Sequence, residues 1–268
     1  MNLSWLTRIS LRTVALGYLA VLLVLPLGLI LWRTFGDGVG AFIDSISTPA
    51  AISAFNLSLI IVAIVVPVNV IFGIVTAIAL VRGRFPGRTV VQGVVDLPIA
   101  TSPVVVGVAL ILLWGANGWF GGLESAGFKV IFGLPGMVLA TIFVTLPFVV
   151  REVEPVLHEI GDDQEQAAAT LGASRWQTFW RITLPAIRWG LTYGVVLTVA
   201  RSLGEFGAVI MVSSALPGKS QTLTLLVHGR YINDHNTFGA YAAATLLMGI
   251  ALVTLLFMTL LERKRGAK

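Results

Sequence analysis

Long apolar runs separated by short polar stretches set the pattern of this chain. Residues 14–32, 57–81, 90–114, 135–150, 191–212 and 238–261 carry almost no charge. A helix needs about 20 mostly apolar residues to cross the hydrocarbon core of a bilayer. The pattern therefore predicts an all-α membrane protein of six transmembrane helices, with both termini on one side. The first run follows Arg8 and Arg12, as in a signal peptide, but it is long and lacks a small-residue cleavage site. It is expected to be a retained span.

Composition agrees. Of 268 residues, 56% are hydrophobic and 12% charged, and the mean hydropathy is +0.91. A water-soluble domain carries about a quarter charged residues. The runs follow one another too closely to leave room for a soluble domain.

Charge sets direction. The net charge is +5, but the cations sit beside the apolar runs. That fits lipid headgroups rather than a nucleic-acid surface. One set of connecting segments holds Arg8, Arg12, Arg82, Arg84, Arg88, Arg151, Arg175, Arg181 and Arg188, then Arg263, Lys264, Arg265 and Lys268. The opposite set holds only Arg33, Lys129, Lys219 and Arg230. The bias places the first set and both termini in the cytoplasm. Pro67, Pro98, Pro103 and Pro147 interrupt spans. Each marks either irregular helix packing or a point of motion.

Between the fourth and fifth runs lies the least apolar stretch, Arg151 to Arg188. Asp162 followed by Glu165 has the spacing of a capping box, and a short helix over Gln164–Leu171 should end at Gly172. Ser174 with Gln177 starts a second helix, which places Trp176, Phe179 and Trp180 on one face and stops at Pro185. The expectation is a helix–turn–helix elbow over 162–185. Its small Ala167, Ala168 and Ala169 would let another backbone approach closely. The other reading is a plain re-entry loop with interfacial anchors.

Gln166-Ala167-Ala168, Gly172 and Ile182-Thr183-Leu184-Pro185 resemble the EAA signature of binding-protein-dependent ABC importer permeases at every spacing. Gln166 stands where the family has Glu, with Glu165 one residue earlier. Further segments extend the likeness: Phe85-Pro86-Gly87-Arg88, Asp96-Leu97-Pro98, Ser102-Pro103-Val104-Val105 with Gly107, Thr145 to Glu152, and Ala200 to Val209. These resemble the sulfate/thiosulfate permeases, CysW-type subunits in particular.

The resemblance implies a MetI-like type I importer, in which Glu165, Gln166, Ala167, Ala168, Gly172, Ile182, Leu184 and Pro185 couple to an ATPase. It also implies a homologous CysT-type permease, two CysA-type ATPase subunits and an extracytoplasmic sulfate-binding protein as partners. The chain would lie in a bacterial cytoplasmic membrane. ATP and magnesium would sit on the partner ATPase, so this chain would hold no cofactor, metal or catalytic site of its own.

Asp96, Arg201 and Glu205 lie within or near the runs. Charge in lipid is costly, so each should find a partner or face water. Arg201 and Glu205, four apart, share a helical face. They make either a structural ion pair or a substrate contact. Thr101, Ser102, Ser202 and the exposed backbone near Pro103 are the expected weak hydrogen-bonding lining for an oxyanion, because a lone Arg would hold it too tightly.

Pro217-Gly218-Lys219-Ser220 looks like the end of a phosphate-binding loop, but Ser213 stands where the first Gly belongs. Cysteine is absent, and His158, His228 and His235 lack metal-ligand spacing. Two alternatives stand beside the sulfate reading. One is a permease for molybdate or another oxyanion. The other, from a different class, is an ATP-independent secondary transporter or channel, which the EAA spacing argues against.

Overall fold

A computed structural model describes residues 5–266. Lys268, counted among the cytoplasmic cations, lies outside the described residues. Trp5–Leu19, the π turn Ala20–Val24 and Leu25–Phe35 run on as helix α1. Then come α2 (Gly38–Ile46), α3 (Pro49–Arg82), α4 (Arg88–Ala100), α5 (Pro103–Trp114), α6 (Leu134–Ile160) and α7 (Asp163–Thr170). Arg175–Thr178, the π turn Phe179–Thr183 and Leu184–Leu203 form α8. The chain closes with α9 (Gly207–Val212), α10 (Leu223–His228) and α11 (Thr237–Gly266).

Five helices are long and apolar enough to cross a membrane, and a bent pair, α4 with α5, supplies a sixth if it counts as one span. Helix α6 is the hub, with 56% of its most apolar window buried, against 0% for α1. Tight packing here depends on missing side chains, as is common between membrane helices. A Cβ on Gly73 of α3 would lie 2.6 Å from the Cβ of Val149. On α8, a Cβ at Gly194 would lie 2.9 Å from the Cα of Val149. Around this three-helix seam Val149, Val150, Val153, Leu157 and Ile187 are fully buried. The outer faces stay greasy: Trp32, Ile71, Phe72 and Val253 are all largely exposed, as suits lipid contact.

The helices depart from the apolar runs in three places. The run 90–114 is not one straight span. It is bent by 114° between Ala100 and Pro103. Ser102 precedes Pro103, whose ring excludes the helical region for its neighbour, and Ser102 is accordingly extended (φ −62°, ψ 132°). The run 135–150 belongs to a helix reaching Ile160, because Val153 and Leu157 continue its buried face past Arg151 and Glu152. The run 191–212 breaks after Leu203 and restarts at Gly207.

Pro185 does not stop the elbow's second helix. Leu184 donates its N–H to the carbonyl of Phe179, closing a π turn just before the proline. A widened turn relieves the clash of a proline ring with the preceding turn, so the helix carries on.

Candidate functional site

Two interruptions of the helical frame gather the polar side chains. The first is the elbow between α6 and α8. Here Asp162 does not act as a side-chain cap, and Glu165 does not reach back to it. Glu165 is drawn away by longer-range partners. Its Oε2 accepts from Arg82 Nε at 3.1 Å, and its Oε1 accepts from Thr183 Oγ1 at 2.8 Å. Arg82 Nη1 and Nη2 donate to the carbonyls of Leu157 (3.2 Å) and Gly161. One carboxylate and one guanidinium thus strap α7 to the ends of α3, α6 and α8. The pair is largely buried and charge-assisted, which makes it stronger than a surface ion pair.

The rest of the elbow is equally well closed. Ala173 donates to the Ala168 carbonyl and Gly172 to that of Ala169, both at 3.0 Å, with Gly172 at φ +80°. This is the Schellman arrangement, and it needs a residue tolerant of the left-handed region. Ser174 and Gln177 form the reciprocal capping box expected from their spacing. Besides its polar Asp163, Gln164 and Thr170, α7 leaves Gln166, Ala167 and Ala169 exposed, and Leu171 at its end is 89% exposed. Ala168 is half-buried, as are Ile182 and Leu184, which face inward, while Pro185 is exposed. A bare leucine flanked by small residues on a rigid tip is a surface another protein can grip.

The second interruption lies where α5 and α9 begin. A Cβ on Gly207 would lie 3.0 Å from the Cβ of Pro103, and one on Gly107 would lie 2.5 Å from the Cβ of Met211. The two short helices therefore run side by side from a common starting level. Thr101 and Ser102 form the extended link before α5, and the Ser102 side chain caps no amide. At α9 Glu205, 2% exposed, accepts the Ala208 N–H at 2.8 Å and sits 2.9 Å from Arg201 Nη2. The contact with Arg201 is an ion pair by distance, but the angle falls outside hydrogen-bond geometry, leaving Oε2 without a hydrogen bond. Ser202 Oγ is likewise buried without a partner among the described residues.

The intramembrane charges are thus not one cluster. Arg201 closes the last turn of α8, and Glu205 lies past the helix end, so they do not share the helical face their spacing suggests. Asp96 pairs instead with Arg151 of α6 at 2.9 Å. Gln92 donates to Glu154 at 3.0 Å beside it, so α4 is tied to α6 by two polar links.

Arg230 escapes sequence reasoning altogether. It is buried, and its guanidinium donates to Ser45 O (3.0 Å), Thr48 Oγ1 (2.9 Å) and Gly239 O (2.9 Å). Burial lowers its pKa from the ordinary value, and Asp234 offsets part of that. It clamps the start of α3 to the start of α11. Its only advance signal is its place among the four cations of the sparsely charged side.

A frame of membrane-length helices, two of them broken side by side, with a rigid polar elbow at one end, defines a multi-pass permease subunit. The chain belongs to the family of binding-protein-dependent transport system inner membrane components, whose family model matches residues 69–266. Among its relatives, the sulfate transport system permease protein CysW of Synechococcus elongatus is 48% identical, over 97% of this chain and 91% of that one. CysW of Escherichia coli is 43% identical, over 91% and 84%, and CysT of the same organism is 34% identical, over 96% and 94%. A solved bacterial ABC transporter that imports alginate has a chain of the same fold, with a TM-score of 0.78 over 97% of this chain and 96% of that one, at 19% identity.

Proposed function

We propose that this chain is one permease subunit of an ATP-driven importer for sulfate or thiosulfate in a bacterial cytoplasmic membrane. The CysW relatives carry sulfate transport in their names, and this chain matches them over nearly its whole length. Its termini and elbow face the cytoplasm, following the excess of Arg and Lys on that side. A CysT-type permease completes the pathway, two CysA-type ATPase subunits bind and hydrolyse ATP with magnesium, and an extracytoplasmic sulfate-binding protein delivers the cargo.

The Glu165–Arg82–Thr183 strap is the observation that carries this reading. A push on α7 cannot be absorbed locally, because α7 is held to α3, α6 and α8 together. ATPase closure moves these helices as a body and changes the gap at the α5/α9 break, which is alternating access by rocking. There the sulfate meets neutral donors: the hydroxyls of Thr101, Ser102 and Ser202 and the first free amides of α5. Glu205 offsets the charge of Arg201, so the dianion is passed on rather than trapped.

Labelled sulfate uptake by a strain lacking its own carrier tests this, with molybdate and thiosulfate as competitors. Uptake that survives ATP depletion, or that molybdate blocks far better than sulfate, contradicts the proposal.

A further inference from the structure

Between α3 and α8 an apolar groove of about 770 Å3 opens on the outer face, lined by Ile71, Val75, Ile78, Trp176, Trp180 and Leu191 among others. Its elbow end continues into a pocket of about 590 Å3 that adds Arg82, Glu165 and Arg175 to the lining, with Ile78, Ala79 and Phe179 as a common wall. In that pocket Arg82 is consumed by the strap and neutralises Glu165. Arg175 is not consumed. It is exposed, lines the pocket, and makes no ion pair among the described residues. It also opens α8, whose positive end adds to the field there. Trp176 and Trp180, 68% and 50% exposed, pack edge to face at the rim. Indoles favour the level of lipid headgroups.

The sequence of surfaces is a greasy trough, an aromatic collar and an unneutralised cation. That is the profile of one amphipathic anion. A wholly apolar transmembrane helix would fill the trough but leave the arginine unanswered. We propose that this composite groove binds an anionic phospholipid, with an acyl chain along Ile71, Val75 and Ile78 and its phosphate at Arg175. Such a lipid sits against both helices that the Glu165 strap joins, where it stiffens the elbow. The assignment rests on the inward orientation of the elbow, since anionic headgroups are concentrated on that surface.

Native mass spectrometry of the full chain in detergent, titrated with phosphatidylglycerol or phosphatidylcholine, tests it. Phosphatidylglycerol is retained in preference. Arg175→Gln lowers its affinity about fivefold, the contribution of one arginine at a charged surface. Val75→Trp fills the exposed trough and lowers retention of both lipids, while Lys219→Gln changes neither. Equal retention of the two lipids, or an Arg175→Gln variant that binds like the parent, overturns the proposal. So does a photo-crosslinker at Val75 that, in membranes holding the assembled transporter, captures only protein. Orientation is read separately by labelling an Arg175→Cys variant with an impermeant maleimide. Labelling from outside the cell overturns the orientation, whereas binding in micelles does not depend on it.

Discussion

The elbow and the α5/α9 break are both places where helices stop, yet they are finished in opposite ways. At the elbow a Schellman turn, a reciprocal capping box and a shared carboxylate satisfy the helix ends. At the break Ser102 caps nothing, Ser202 has no partner and one oxygen of Glu205 lacks a hydrogen bond. Ser102 is exposed, but Ser202 and Glu205 are buried, and a buried polar group left unpaired costs about 1–3 kcal/mol. A chain that closes one interruption and leaves the other open keeps a stiff handle at one and adaptable polar groups at the other. The contact linking them is the α6–α8 seam at Gly190 and Gly194.

The severest way to break this comparison is to part the seam. Gly194→Leu drives a side chain into the backbone of Val149, and overpacking of this kind costs about 1–3 kcal/mol. Sulfate uptake should vanish and thermal stability in detergent should fall. Gly172→Arg comes next. Space is open around Gly172, so the damage comes from its φ of +80°, at about 1–2 kcal/mol for a residue with a side chain. The variant should insert normally, yet lose uptake and the ATPase on co-purification. Normal uptake with a bound ATPase contradicts a role for the elbow tip.

Glu165→Ala removes the bonds from both Arg82 and Thr183 and is expected to cut uptake at least about tenfold, since even one charge-assisted hydrogen bond is worth about 1.5 kcal/mol. Ser102→Ala with Ser202→Ala should slow uptake only about fivefold, since each hydroxyl offers one neutral hydrogen bond of about 0.5 kcal/mol. Unchanged uptake by that pair removes them from the pathway. Gln166→Glu, which restores the family residue on an exposed surface, should change uptake least.

How far the sequence is legible follows the same division. The elbow's caps are local, so Ser174, Gln177 and Gly172 announce themselves within a few residues. The α4/α5 bend is visible through Pro103. The break after Leu203 is not, because Gly204 and Glu205 lie inside an apolar run without a proline, and the carboxylate that restarts the helix reads as an ordinary i,i+4 partner of Arg201. The π turn that carries α8 through Pro185 leaves no signature, and proline alone reads as a stop. The true partners of Glu165 and Asp96 are Arg82 and Arg151, 83 and 55 residues away. Spacing along a chain cannot report them, so near neighbours stand in for them.

The central claim is that the strapped elbow transmits ATPase motion to the open break. The direct measurement is sulfate uptake and ATP hydrolysis recorded together in vesicles holding the reconstituted transporter, with Glu165→Ala against the unaltered chain. Hydrolysis should persist while uptake per ATP falls at least about tenfold, as expected when the bonds from Arg82 and Thr183 are both lost. An unchanged ratio of sulfate carried to ATP consumed would contradict the account.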